Sequence, residues 1–458
     1  MKTNQQTTGS FTLIVIFTLI TLLSFKFSFA QSGWYKLSSG TVSDLNAVFF
    51  VNSMTGWAVG VDKIIKTTNG GSTWTWEDYN TGENDWYTFK SICFTNSMTG
   101  WIAGDLYKII PGVHYNIVIK TTNGGNNWSG SYSSPNPGLN SVCYRTLEAG
   151  YSVGFNAIIK STNQGLTWTE QDFPKGENDD VTFNSICFNN PLLGWAAGDV
   201  YVNPPGVHQK IIYKTESGGQ NWEMVYRSGE IGLNSVNFCN TANGWAVSNN
   251  EIMTSHNGGA NWIIQQTYGG LNAFYFLKSV FFINSSIGWV AGGKLNTFGN
   301  QYSSVIIKTT NEGLNWTEQT FTTNGHYHKL NFVYFINELT GWAVGDGGDI
   351  YKTTDGGMTN IKTKSKTVPD SYSLEQNYPN PFNAVTKIKF DIAGNTVEQT
   401  CLSVYNILGK EIAVLVNEKL NPGTYEVTFD AGDLPSGIYF YQLKAKDFSV
   451  TKKLILQK

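Results

Sequence analysis

Two acidic stretches, Gly82-Glu83-Asn84-Asp85 and Gly176-Glu177-Asn178-Asp179-Asp180, each precede an aromatic and histidine-bearing segment. The first leads to Tyr107, Pro111-Gly112-Val113-His114 and Tyr115, the second to Tyr201 and Pro205-Gly206-Val207-His208. Carboxylates, an imidazole and aromatic rings on one rim suit a cation or a sugar. Paired carboxylates at the right separation also suit glycoside hydrolysis. The plainer reading is that duplication copied two solvent-held loops. A third copy, from Gly269, keeps aromatics at Phe274 and Tyr275 but has neither the acids nor the histidine. That difference favours shape and stacking over shared acid–base chemistry. His326 and His328 flank Tyr327 with no Cys or acidic partner at ligand spacing, so no metal and no cofactor are expected. Phosphate-binding glycine loops, nucleophile elbows and HExxH patterns are absent from the sequence.

The elements that position these residues are repeats. A Gly-aromatic pair recurs at Gly56-Trp57, Gly100-Trp101, Gly150-Tyr151, Gly194-Trp195, Gly244-Trp245, Gly288-Trp289 and Gly341-Trp342. After each comes a Gly-rich turn, as in Asn69-Gly70-Gly71, followed by a Trp in every copy but the last, where Asn360 takes its place. Each repeat holds four strand-like stretches, in the first copy Leu45–Val51, Gly56–Val61, Lys63–Thr68 and Trp74–Tyr79. Four short strands per repeat predict propeller blades, with the tryptophans filling the wedges between sheets. The seventh repeat stops before its fourth strand, and Gly33-Trp34-Tyr35-Lys36-Leu37 supplies an unattached strand of that kind. The expectation is a seven-bladed β-propeller over 31–359, closed by that strand, which removes two exposed edges. Equivalent aromatics two repeats apart, such as Trp57 and Tyr151, point to a duplicated two-blade unit. Even blades carry extra residues between strands two and three, as at Lys108–Asn116 and Val202–Gln209. In a propeller those connections share one face with the blade-to-blade connections, so any ligand is expected there.

Composition narrows the classes. A net charge of −3 over 458 residues gives no electrostatic reason to expect nucleic acid. Residues 1–30 read as a signal peptide, with Lys2, an apolar run from Phe11 to Leu23 and Ser28-Phe29-Ala30 as the cleavage site. No other stretch approaches transmembrane length, so the mature chain is expected to have no spanning segment. Cys93, Cys143 and Cys187 occupy one repeat position, also filled by Phe49 and Phe281, and read as packing residues.

The run Thr67-Thr68-Asn69-Gly70-Gly71-Ser72-Thr73-Trp74 resembles the Asp-box, or bacterial neuraminidase repeat. With Gly56-Trp57-Ala58-Val59-Gly60 it looks most like the photosystem II stability/assembly factor-like propellers, a resemblance over residues 33–357. It implies a fold more than a function. Sialidase chemistry grips a carboxylate with three arginines, and this chain has two, Arg145 and Arg227. The arginine-rich surface implied for assembly factors is equally absent.

Residues 360–371 read as a linker, and 372–458 as a small immunoglobulin-like β-sandwich of about seven strands. Asn377-Tyr378-Pro379-Asn380-Pro381-Phe382-Asn383, Val404-Tyr405-Asn406-Ile407-Leu408-Gly409 and Gly437-Ile438-Tyr439-Phe440-Tyr441 resemble the type A sorting domain of type IX secretion. The resemblance implies recognition by type IX secretion machinery and a secreted or outer-surface location. The leading expectation is an exported binding module for a protein or glycan. A glycoside-active enzyme and a structural envelope component remain open.

Overall fold

The computed structural model describes residues 33–77, 79, 85–229, 231–269, 273–296, 301–319, 328–357, 361–365, 367–383, 385–409, 411–431 and 434–457. The signal-peptide reading of 1–30, Glu83, His326 and Tyr327 lie outside them. Among the described residues no helix is long and apolar enough to cross a membrane.

Residues 35–353 form seven four-stranded antiparallel sheets. The sheets are numbered here by their first strands: Leu45–Phe50, Trp86–Phe94, Leu139–Tyr144, Asp180–Phe188, Ser235–Phe238, Ala273–Phe282 and Leu330–Phe335. Each first strand lies beside the next, and the seventh lies beside the first, so the sheets close a ring. The seventh sheet takes its fourth strand from the chain's start, with Tyr35, Lys36 and Leu37 opposite Lys352, Tyr351 and Ile350.

Aromatic stacking joins one sheet to the next. Trp57 stacks on Phe94 at 3.7 Å, Trp195 on Phe238 at 3.5 Å, and Trp342 closes the ring on Phe50 at 3.5 Å. The same indoles fix the next sheet's Gly-rich turn: Trp57 Nε1 donates to Gly124 O and Trp342 Nε1 to Gly70 O. In that turn Thr67 Oγ1 accepts from Gly71 N, and Asn69 Oδ1 accepts from Thr73 N. Gly71 sits at φ +93, where a side chain would be strained.

A second inter-sheet device runs along the first strands, whose inner edges would otherwise expose unpaired backbone. Asn46, Asn140, Asn184, Asn234 and Asn331 each donate a side-chain amide to a carbonyl on the next sheet, as Asn184 Nδ2 does to Leu233 O at 2.9 Å. One residue further on, Ser91, Ser141, Ser185, Ser235 and Ser279 accept from the next sheet's N–H groups, as Ser185 Oγ does from Val236 N at 3.1 Å. In sheets two and six Lys90 and Lys278 stand in the asparagine position at a β-bulge, and burial lowers both pKa values. Ser185→Ala removes the acceptor of a buried N–H and is expected to cost about 1–3 kcal/mol in urea unfolding.

The cysteines pack as the sequence suggests. All five are free, and burial pushes the thiols of Cys93, Cys143 and Cys187 up, that of Cys187 to about 12. Thiols held protonated are poor nucleophiles.

Two expectations need correction. The extra residues of the even sheets do not form irregular loops. They lengthen strands two and three to nine residues each, Gly100–Lys108 with Val113–Thr121 and Gly194–Val202 with Val207–Thr215. Nor is 360–371 simply a linker, because Ile361–Ser365 pairs with Gly423–Asp430. The alternation Ile361-Lys362-Thr363 suits an edge strand as well as it suits a solvated tether. The C-terminal region therefore has eight strands rather than about seven. Ile361–Ser365, Gly423–Asp430, Val385–Ile392 and Ser373–Leu374 make one sheet. Glu411–Leu420, Glu398–Tyr405, Gly437–Ala445 and Phe448–Leu456 make the other, and both share one apolar core.

Candidate functional site

The long hairpins carry the aromatic and histidine residues in register. Tyr107 faces His114 across the second hairpin, and Tyr201 faces His208 across the fourth. The ring centroids lie 4.7 and 5.0 Å apart. Each imidazole is held by an aspartate that sequence reasoning missed: Asp105 Oδ2 lies 2.8 Å from His114 Nδ1, and Asp199 Oδ2 lies 2.5 Å from His208 Nδ1. The signal was present, because Gly-Asp follows the aromatic pair in both hairpins, nine residues before the histidine.

The predicted acids do not gather into one centre. Asp179 is buried and lies 3.8 Å from Arg227, while Asp180 accepts from Asn156 Nδ2 at 3.0 Å. Glu177 is exposed. Asp85 lines a cleft of about 230 Å³ between the first two sheets with Asp62, Trp76, Glu77 and Tyr79. Its neighbour Trp86, 63% exposed, faces Tyr107 across the sheet at 6.3 Å. Tyr115 packs partly into the second sheet's core beneath Lys108. Both arginines donate within the propeller, Arg145 Nε to Phe188 O on the next sheet and Arg227 Nε to Gln209 Oε1.

The sixth hairpin is a different arrangement. Phe274 is 56% exposed, and Tyr275 donates to Glu318 Oε2 at 3.2 Å with Lys294 over its ring. His328 lies 3.3 Å from Asp349, which Lys36 also pairs at 2.5 Å. Among the described residues no group of three or more His, Cys, Asp or Glu side chains is placed to hold a metal ion.

The sorting motif divides into buried and exposed residues. Asn377 is buried, donating from Nδ2 to Pro379 O and Thr386 Oγ1, each at 3.0 Å, while its N–H donates to Tyr441 OH at 2.9 Å. Asn380 Oδ1 accepts from Ile455 N at 2.9 Å, and Phe382 is buried and pairs with the final strand beside Leu456. The segment thus bridges the edges of both sheets, since Tyr378 bridges to Lys387 on the other one. Tyr378 itself is 81% exposed, and Pro379, Pro381 and Asn383 are exposed.

Residues 376–457 match the family model of the secretion system C-terminal sorting domain, and residues 27–138 that of photosynthesis system II assembly factor YCF48. The chain is therefore sorted for secretion, and its propeller is of the repeat type found in that factor. No curated protein matches it. Among solved structures, YCF48 bound to D1 peptide aligns at a TM-score of 0.53 and 18% identity, covering 71% of this chain and 96% of that one. YCF48 from Cyanidioschyzon merolae aligns at 0.50 and 17% identity, covering 70% and 98%. At these identities the likeness concerns the fold.

Proposed function

We propose that this secretion-sorted propeller is a binding module, displayed at or released from the cell surface, that holds a protein or glycan through the face bearing the long hairpins. The observation that carries this reading is the duplicated Tyr–His pair on a hairpin of two nine-residue strands, braced by Asp105 in one copy and Asp199 in the other. Strand-mounted side chains are positioned more accurately than loop-mounted ones. Each aspartate orients an imidazole, a role suited to presenting a ring and a polar edge to a partner.

The test uses the mature chain, residues 31–458, on a glycan array and in capture from the cell envelope. Tyr107→Ala/Tyr201→Ala is expected to weaken capture at least tenfold without lowering the unfolding midpoint. Unchanged capture would leave a structural envelope role in its place.

The cleft containing Asp62, Glu77 and Asp85 beside Trp76 favours a second reading, glycoside-active chemistry, because it places acids next to an exposed aromatic. Turnover on a glycosidase substrate panel, lost in Asp62→Asn/Asp85→Asn, would establish it. No turnover is expected.

A further inference from the structure

A cleft of about 470 Å³ opens where the closing strand leads into the first sheet. Small-ligand sites span about 300–1,000 Å³, so it has room for one. Two connections form its floor. Residues 38–44 join the closing strand to Leu45–Phe50, and Asp346–Gly348 joins the second and third strands of the seventh sheet. Connections of both kinds belong to the face that bears the long hairpins. The floor is held in shape by the chain itself. Gly347 N donates to Asp44 Oδ1 at 2.7 Å, and Ser43 N donates to Thr41 Oγ1 at 3.0 Å. Gly348 comes so near that a Cβ on it would lie 2.1 Å from Thr41 O.

The cleft's wall is made by two residues that depart from the repeat. Trp76 stands opposite Ile65 on the outer strand of the first sheet. The other sheets place Gly130, Glu170, Met224, Ile264, Glu318 and Lys36 there, so the fold does not call for an aromatic. The indole is 54% exposed. Lys63 stands opposite Gly60, at a position that four other sheets fill with buried Ile117, Ala157, Ile211 and Val305. The fifth and seventh sheets hold Glu251 and Asp349 there, each paired with a lysine, Lys210 and Lys36. Lys63 instead sets its ammonium 4.1 Å from the centre of the Trp76 ring. Strand alternation explains the meeting. Lys63, Ile65 and Trp76 point to one side of the sheet, the side on which Ile65 packs with Trp342 and Ile350 of the seventh sheet.

The charge of the cleft is one-sided. Asp349, the one carboxylate among its lining residues, is 2% exposed and already paired with Lys36. The charge left to face a ligand is the Lys63 ammonium. A pyranose lays its C–H face on an indole and turns its hydroxyls outward, here toward the serines and threonine of residues 38–43. A carboxylate on that sugar would draw Lys63 from the ring into a charge-assisted hydrogen bond, which takes only a turn of its flexible stem. We propose that this cleft binds a hexuronate residue of an acidic glycan, its ring stacked on Trp76 and its carboxylate on Lys63. The proposal names a ligand for the hairpin-bearing face and rests on the binding-module reading of that face.

The probes are methyl glucuronide and methyl galacturonide, followed by saturation-transfer NMR with the mature chain at about pH 7, where an ordinary carboxylate is ionised. Methyl glucoside and methyl galactoside are the neutral twins, alike except for the carboxylate. At least one uronide is expected to bind, at least tenfold more tightly than its twin. Trp76→Ala should weaken that binding at least tenfold. Lys63→Gln should erase the preference over the neutral twin. Asp62→Asn/Asp85→Asn, in the cleft between the first two sheets, should leave binding unchanged. Failure of both uronides to bind, equal binding of the neutral twins, or unchanged binding by Trp76→Ala or Lys63→Gln would overturn the proposal. Loss in Asp62→Asn/Asp85→Asn alone would also overturn it and move the sugar to the neighbouring cleft. Failure here together with envelope capture that still depends on Tyr107 and Tyr201 would sink the uronate cleft and leave the binding module standing.

Discussion

Trp34→Ala is expected to lower stability by about 3–5 kcal/mol and to open the ring, an effect read as a fall in urea midpoint. The strand Tyr35–Leu37 has only three residues, too few to hold an edge by backbone pairing alone. Its anchorage comes from side chains around it. Trp34 is 1% exposed, packs edge-on to Phe335 at 5.6 Å and belongs to the core shared with Trp289 and Tyr351. Beside it Gly33 N donates to Asp355 Oδ2 at 2.9 Å, and Lys36 pairs with the buried Asp349. Removing the indole leaves a cavity at the one place where the ring is closed without chain continuity. Trp76→Ala is the control: that indole is 54% exposed, and its loss is expected to stay within about 0.5 kcal/mol. Equal effects from the two substitutions would mean that the ring does not depend on this closure.

The architecture was legible because its signals are backbone signals repeated many times. Gly-aromatic pairs and Gly-rich turns mark where strands begin and end, and a missing fourth strand in the last repeat matches a spare one at the start. What escaped the sequence depends on neighbours in space. The run Leu-Asn-Ser-Val at 139–142 and 233–236 was in plain view, yet its meaning needs the next sheet's free N–H and C=O groups. Asp105 and Asp199 do not stand out in the sequence, because the histidines they hold lie nine residues away across the hairpin. Asp85 and Asp179 were grouped by sequence pattern, but one lies in a cleft with Asp62 and Glu77 and the other is buried against Arg227. The strand at Ile361–Ser365 is hard to see in the sequence because Lys362 and Lys364 are residue types that a solvated tether also favours.

Within the sorting motif, Asn377→Ala and Tyr378→Ala are expected to block secretion for different reasons. Asn377 is a buried polar side chain with both amide hydrogens in use, set where the chain passes from one sheet edge to the other. Burial also pushes the Tyr441 hydroxyl up to about 12, so it stays protonated and donates to Glu375 O while accepting from Asn377 N. Removing the amide leaves Thr386 Oγ1 without its donor and Pro379 O with only the bond from Thr386 Oγ1, and is expected to destabilise the C-terminal sandwich by about 1–3 kcal/mol. Tyr378 has no such duty: its backbone pairs with Lys387 while its ring stands 81% exposed. An exposed aromatic on a rigid backbone is the kind of group a recognition partner buries. Tyr378→Ala should therefore leave the unfolding midpoint unchanged and still retain the chain inside the cell, measured by immunoblot of cell and medium fractions. Normal secretion of Tyr378→Ala alongside failure of Asn377→Ala would mean that the motif acts only as a fold staple. The surface read by the secretion machinery would then lie elsewhere on the sandwich, with Ile407 and Leu408, 71% and 86% exposed on a turn capped by Asn406, as the next residues to replace.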